Sequence, residues 1–460
     1  MTLIKSISGI RGTIGGKTGD NLTPLDVVKF AAAYGSWLKS QTQKTKLTVV
    51  IGRDARISGE MVQNLVMSTL SGLGIDVLDL GLSTTPTVEI AVPKEQADGG
   101  IILTASHNPK QWNALKLLNA DGEFLNAEEG AIILELAEKE DFTFSEVDEL
   151  GTITKNDNYL DIHVQEVLNL RLVDAEKIRA GKFKVVLDAV NSTGGLAIPK
   201  LLEALGVEVV KLYCDPTGHF PHNPEPLKEH LEEISRLVPE SGADFGIVVD
   251  PDVDRLAFIS NDGSMFGEEY TLVACADYVL SKTPGNTVSN LSSTRALRDI
   301  TNKHGGTYEA AAVGEVNVVS KMKATRAIIG GEGNGGIIYP ESHYGRDALV
   351  GTALFLMLLS ENGGSVKQLR DSYPAYFMSK KKMQLTPELN VDALLEAMAA
   401  KYADYNPSTI DGVKIDFEDS WVHLRKSNTE PIIRIYTEAG SQEAADQLAQ
   451  KIIDEIAAIV

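Results

Sequence analysis

The chain has 460 residues, with 43 lysines and arginines against 64 aspartates and glutamates, a formal charge of −21. Hydrophobic residues make up 43% and charged residues 23%, which excludes general disorder and allows sizeable cores. At about 100–200 residues per domain, the length suggests roughly three domains. The acidic balance argues against nucleic-acid binding, which needs a basic footprint. No apolar run reaches the 18 or so residues of a membrane helix, and the N-terminal residues lack a signal-peptide pattern. Two cysteines, Cys214 and Cys275, cannot make a disulfide framework or a four-thiolate zinc site. A cytoplasmic enzyme fits these bounds. If its ligand is an anion, the positive charges must be gathered at one place.

In chain order, three stretches follow one plan. Residues 47–52 predict a strand, 59–73 a helix carrying Met61, Leu65, Met67 and Leu70, and 75–80 a second strand after Gly74. The plan repeats with a strand at 183–187, a helix at about 196–205, Gly206 and a strand at 207–212. A weaker copy has a strand at 287–291, a helix at 294–304, Gly305-Gly306 and an extended run from Thr307. Strand, helix, glycine, strand is the pattern of a βαβ unit, and such units imply sheets covered by helices on both faces. The last part differs. Amphipathic helices are predicted at 389–402 and 442–460, with two strand-like runs between them at 420–424 and 432–437. Ser441 can cap the second helix, and Ala445, Leu448, Ile452, Ile456 and Ile459 share one of its faces. This predicts an α/β protein of four domains, 1–150, 151–255, 256–370 and a final α+β domain, 371–460.

Four motifs carry chemistry. Thr104-Ala-Ser106-His107-Asn108-Pro109 follows the apolar run 100–103, so Ser106 stands just past a strand end, where ligands bind in open α/β sheets. No G-x-S-x-G elbow is present, which argues against an ordinary esterase; a plain turn serine also fits locally. Asp250-Pro-Asp252-Val-Asp254-Arg255 follows a second apolar strand, 244–249. Three carboxylates there suit a hard cation bound together with a phosphate, Mg²⁺ rather than Ca²⁺, because the EF-hand glycine and glutamate are missing. Gly330-Gly-Glu332-Gly-Asn334-Gly-Gly336 allows close backbone approach to a ligand, and Glu332 and Asn334 can read sugar hydroxyls; it matches neither a dinucleotide fingerprint nor a P-loop. Arg425-Lys-Ser427-Asn428-Thr429 lies between two predicted strands and offers phosphate-binding side chains, or is a plain hairpin loop. The segment 217–226, with two histidines among its prolines, is expected to be a rigid loop.

Together the four motifs resemble the α-D-phosphohexomutase family, in the family's order and along nearly the whole chain. The resemblance implies four domains around a central cleft, three of them related α/β folds with mixed sheets. It implies phosphate transfer between the 6- and 1-positions of a hexose phosphate, through a phosphoserine and a hexose 1,6-bisphosphate. Ser106 would be the phosphorylated serine, and Asp250, Asp252, Asp254 and the Ser106 phosphate would hold Mg²⁺. Arg255 would lie beside the transferring group, Lys116 or His107 would do acid/base work, and Arg11 would match an N-terminal active-site arginine. Glu332 and Asn334 would read the sugar, and Arg425, Ser427, Asn428 and Thr429 would grip the phosphate that does not react. Gly336 stands where many members have histidine, and Asn334 where bacterial members often carry serine. Glucosamine phosphate leads as the expected sugar, with mannose and glucose phosphates next. A metal-dependent sugar phosphatase could use the same serine and aspartates. The chain is expected to be a monomer or homodimer that binds neither membrane nor nucleic acid.

Overall fold

The computed structural model describes residues 2–6, 9–384, 390–426 and 432–458. The three predicted repeats each form a sheet of the same design. Strands Thr48–Arg53, Lys184–Asp188 and Asn286–Asn290 lead through a helix into parallel neighbours, Asp76–Leu82, Glu208–Leu212 and Tyr308–Ala311. The glycines that end those helices, Gly74, Gly206 and Gly305, have φ of +79°, +68° and +75°. That left-handed conformation is open to glycine at little cost and lets the chain turn back towards the sheet.

A third parallel strand pairs on the other side of the first: Gly99–Leu103, Phe245–Val249 and Ala327–Glu332. Each third strand then folds back through a short loop into an antiparallel strand: Trp112–Leu118, Leu256–Ser260 and Gly336–Ile338. The sheets are therefore mixed. The first gains Ile4–Ser6 and Gly9–Thr13 at one edge and Ile153–Lys155 at the other, for seven strands.

Two expected boundaries cut these sheets. Ile153–Lys155 belongs to the first sheet, beyond the limit placed at 150, and Leu256–Ser260 closes the second, beyond the limit at 255. Hydrogen-bond pairing carries these strands past the expected limits, and composition shifts carry no record of it.

The last unit is an antiparallel sheet in the order Phe377–Gln384, Ile432–Ala439, Trp421–Lys426, Val413–Asp416. Helices Val391–Lys401 and Gln442–Ala457 pack on it around a core of its own, which includes Met398, Ile435 and Ile452. The Ser441 hydroxyl caps the second helix by accepting from the Ala444 N–H at 3.1 Å. Ala445, Ile452 and Ile456 are buried as the periodicity predicts, and Ile459 lies outside the described residues.

The second and third units do not have separate cores. Helix Ala348–Asn362 is apolar all round over its first twelve residues and fully enclosed. It packs against the second unit's helices as well as those of the third, and one continuous cluster runs from Leu160 to Tyr373. At its centre Phe355 stacks on Phe258 with ring centroids 3.8 Å apart and meets Phe245 and Phe266 edge-on at 5.4 and 5.3 Å. No single helix among the described residues is long and apolar enough to cross a membrane.

Phe355→Ala should cost about 3–5 kcal/mol. Hydrogen exchange should then lose protection in strands Phe245–Val249 and Leu256–Ser260 as well as in the helix. Loss confined to the helix would show two independent cores.

Candidate active site

The three returning loops sit at equivalent places in their sheets, and each carries one of the predicted motifs. The first ends strand Gly99–Leu103 and holds Ser106, a buried residue with φ of +48°. A non-glycine residue keeps that conformation only where its surroundings enforce it. Here the enforcing group is Arg56, which is fully enclosed and donates to the carbonyls of Ser106, Asn108, Pro109 and Trp112. Asp54 orients Arg56 through its Nε at 2.9 Å and also accepts from the Thr104 hydroxyl at 2.7 Å. The Phe220 ring stands 5.1 Å from the guanidinium, so the proline-rich loop 217–226 helps to cover the clamp.

The second loop brings Asp250, Asp252 and Asp254 to the end of the wholly buried strand Phe245–Val249. All three carboxylates are buried, each with an oxygen within 4.8 Å of the others. Val253, between them, has φ of +65°, a strained conformation for a β-branched residue. The Ser106 hydroxyl donates to Asp250 Oδ2 at 2.7 Å, which joins the first loop to the second. Lys116 Nζ lies 2.7 Å from Asp252 Oδ2 and 3.3 Å from Asp254 Oδ2. Thr85 Oγ1 donates to Asp252 Oδ2 at 2.6 Å, and Arg346 Nη2 to Asp254 Oδ2 at 2.6 Å. The Oδ1 atoms of Asp252 and Asp254 are buried and have no hydrogen-bond partner among the described residues.

Two unpaired hard oxygens beside a third carboxylate suit a small divalent cation such as Mg²⁺. The electrostatics agree. Burial, and then repulsion from Asp252 and Asp254, push the Asp250 carboxyl well above the usual range. A cation would relieve both effects. Asp254 goes the other way: burial raises it, but Arg346 and then Lys116 outweigh burial and hold it below the carboxylate range. For Lys116 burial is opposed by Asp252 and Asp254, which keep it an ammonium. His107 Nδ1 is 3.5 Å from the Ser106 hydroxyl. Burial, and then Arg255, hold its imidazole well below the ordinary histidine value, so it is neutral near pH 7.

A positive rim faces this group. Arg11 lies on strand Gly9–Thr13 opposite Ala114, two residues before Lys116 on the neighbouring strand. Burial, and then Arg434 and Arg255, lower its guanidinium below the ordinary arginine value. Arginines from two other units thus repel Arg11, and the Nε atoms of Arg11 and Arg255 are buried without hydrogen-bond partners among the described residues, although Arg255 Nη1 lies 3.5 Å from Glu225 Oε1. A dianionic phosphate would resolve that frustration. Arg434 was not anticipated from sequence; the available signal is one arginine inside the apolar run Ile432-Ile-Arg-Ile-Tyr436.

The third loop holds Glu332 and Asn334. Glu332 is buried, and both its oxygens are engaged by Asn290, Gly314, Asn334 and Arg346. Asn334 Oδ1 accepts from the Gly336 N–H at 3.1 Å. In the last unit Arg425 pairs with Asp411, Nε to Oδ2 at 2.8 Å, and stands opposite Arg434 in the sheet register. Ser427, Asn428 and Thr429 lie outside the described residues. Arg56 and Arg346 also escaped sequence reasoning, because each acts through contacts with residues distant along the chain.

Models of the phosphoglucomutase/phosphomannomutase family match the chain throughout. Its alpha/beta/alpha domains I, II and III match residues 3–144, 158–263 and 267–376, and its C-terminal domain matches residues 381–455. The chain belongs to this family. A phosphoglucomutase/phosphomannomutase from Thermococcus kodakarensis is 37% identical over 451 residues, covering 96% of this chain and 98% of its own. A phosphoglucosamine/phosphogalactosamine mutase from Sulfurisphaera tokodaii is 32% identical over 451 residues, covering 96% and 97%. The crystal structure of a phosphoglucomutase/phosphomannomutase family protein from Burkholderia thailandensis superposes with a TM-score of 0.84 at 26% identity, over 99% of this chain and 97% of that one. The chain is accordingly an enzyme of the phosphosugar mutase class, an isomerase, with the four-domain architecture of that family.

The last unit carries a pH-sensitive contact. His423 is buried, with Nδ1 2.9 Å from the Ser292 hydroxyl of the third unit and Nε2 2.7 Å from the Asp411 carbonyl. Burial lowers its pKa to about 4. An unfolded histidine titrates near about 6.5, so the unfolded chain takes up the proton first. The contribution is therefore intact above about pH 6.5 and is lost as pH falls towards about 4, by at most about 1.4 kcal/mol per pH unit. Urea unfolding of the last unit should weaken over that window, and His423→Asn should flatten the dependence; an unchanged slope in the variant would assign it to other groups.

Proposed function

We propose that this phosphohexomutase moves a phosphoryl group between the 6- and 1-positions of a hexose through phosphorylated Ser106 and a 1,6-bisphosphate. The observation that carries the reading is the Ser106 hydroxyl, 2.7 Å from Asp250 at the rim of three buried carboxylates. Arg11 and Arg255 supply the facing positive charge. Phosphoryl transfer depends on positioning and charge neutralisation more than on covalent chemistry by the protein, and this arrangement supplies both.

In the first half-reaction a sugar hydroxyl oxygen forms the new P–O bond while the bond from phosphorus to Ser106 Oγ breaks. The sugar hydroxyl gives up its proton and Oγ, leaving with the electron pair, takes one. Neutral His107 is suited to accept a proton, and Lys116, held as an ammonium, to donate one. The second half-reaction returns the other phosphate to Ser106. Asp250, Asp252 and Asp254 with the Ser106 phosphate would hold Mg²⁺, which supplies charge neutralisation at the phosphoryl oxygens. Arg425, joined by Ser427, Asn428 and Thr429, would grip the phosphate that is not reacting, with Arg434 as a further contact, and Glu332 and Asn334 would read the sugar. Glucosamine phosphate is the leading substrate. Mannose and glucose phosphates are the second reading, favoured by the name of the relative at 37% identity.

Ser106→Ala should abolish mutase turnover while hexose-phosphate binding, read by calorimetry, persists. Intact-mass spectrometry should find one phosphoryl group on the wild-type chain and none on the variant. Chelation should stop turnover and added Mg²⁺ should restore it. Turnover by Ser106→Ala would overturn the mechanism, and fast release of inorganic phosphate without isomerisation would favour the phosphatase reading instead.

A further inference from the structure

Arg346 lies in the loop between strand Gly336–Ile338 and helix Ala348–Asn362, and it is 8% exposed. Its guanidinium reaches carboxylates from three places: the aspartate loop, the end of strand Ala327–Glu332 and the start of helix Glu315–Thr325. Nη2 donates to Asp254 Oδ2 at 2.6 Å, Nη1 to Glu332 Oε2 at 3.2 Å, and Nε to Glu315 Oε2 at 2.8 Å. The Arg346 backbone N–H donates to the other Glu315 oxygen at 3.2 Å, which fixes the residue at its base. We propose that Arg346 is a positioning residue that ties the sugar-reading Glu332 to the metal loop, so that sugar preference and cation affinity depend on it together. This rests on the mutase reading above.

Each contact has a consequence. By holding Asp254 Oδ2, Arg346 leaves Oδ1 as the open oxygen of that carboxylate. By holding Glu332 Oε2, it compensates the charge of Glu332 and fixes its distance from the phosphate-transfer loops. The guanidinium fork serves its three acceptors from three nitrogens held in one rigid plane; a lysine ammonium, a point charge on a flexible stem, does not hold the same geometry. Gly336 makes room for it. A Cβ built at position 336 would lie 2.2 Å from Arg346 Cδ, so any side chain there must move the arginine stem. Position 336 is paired directly with Glu332 in the sheet, which places the arginine stem against the sugar loop. The Gly336 side-chain position and the arginine stem thus share one volume.

The sugars of this class differ in small groups, such as an amino group in place of a hydroxyl. Such differences are read by how well buried polar groups are matched. With Arg346 present, the negative charge of Glu332 is already paired. Without it, the carboxylate is available to the ammonium of an amino sugar.

The test uses the full chain and three variants, Arg346→Gln, Arg346→Lys and Gly336→Ala. The readouts are the ratio of kcat/KM for glucosamine 6-phosphate to that for mannose 6-phosphate, and Mg²⁺ affinity by calorimetry without sugar. The ratio is independent of the fraction of folded enzyme. Arg346→Gln should shift the ratio towards the amino sugar by about tenfold and weaken Mg²⁺ binding by about tenfold. Arg346→Lys should fall between that variant and wild type. Gly336→Ala, which displaces the arginine without removing it, should move both readouts in the same direction and decides the matter if Arg346→Gln does not fold. Unchanged ratio and Mg²⁺ affinity, with only specific activity or Tm reduced, would overturn the proposal while leaving the mutase reading intact. A wild-type chain without turnover on any hexose phosphate would overturn that reading and this proposal with it.

Discussion

Three carboxylates buried within 4.8 Å of one another set the terms for the rest of this molecule. Moving each such ion out of water costs several kcal/mol, and their mutual repulsion adds to it. The chain meets that cost with partners drawn from separate places: Lys116 from the first sheet, Arg346 from the third, and hydroxyls from Thr85 and Ser106. The loop cannot reach its observed state unless the units around it are docked. Asp250, which makes no ion pair with a basic side chain among the described residues, is the carboxylate that hydrogen-bonds the serine, so the least compensated charge sits nearest the proposed chemistry.

The same design explains where the working residues fall. In each α/β unit the third parallel strand turns back into an antiparallel one, and that turn holds Ser106 in the first copy, the aspartates in the second and Asn334, just after Glu332 at the strand end, in the third. Repetition of a fold has placed three equivalent loops within reach of one another, and substitution has given each a different task. Two of these loops also hold a non-glycine residue with positive φ, Ser106 and Val253. Strain of that kind is of order 1–3 kcal/mol per residue and persists only when clamped, as Arg56 clamps the serine loop.

Much of this was legible in the sequence, for definite reasons. Ser106 and the aspartates stand out because polar residues directly follow wholly apolar strands, and Gly74, Gly206 and Gly305 mark helix ends where only a left-handed residue fits. The contributions of Arg56, Arg346 and Arg434 were not legible. Their neighbours in sequence are ordinary, and their meaning arises from groups elsewhere in the chain: loop carbonyls for Arg56, carboxylates of Asp254, Glu315 and Glu332 for Arg346, and Arg11 for Arg434. The shared core of the second and third units was equally hidden. A helix apolar on every side says that it is enclosed, and nothing in its periodicity says by which sheets. The boundary at 255 cuts its sheet for a related reason, since strand pairing is a long-range property.

The enclosed helix Ala348–Asn362 has a kinematic consequence. Because its side chains fill both units, the loops bearing the aspartates and Glu332 belong to one stiff body and share its coordinates. The last unit keeps its own core and meets that body largely through polar contacts, among them Arg295 to the carbonyls of Phe417, Glu418 and Ser420. Such seams slide and reopen far more readily than apolar ones. The geometry between Asp250 and Glu332 is therefore set within one frame, whereas their distances to Arg425 and Arg434 are set across a polar seam.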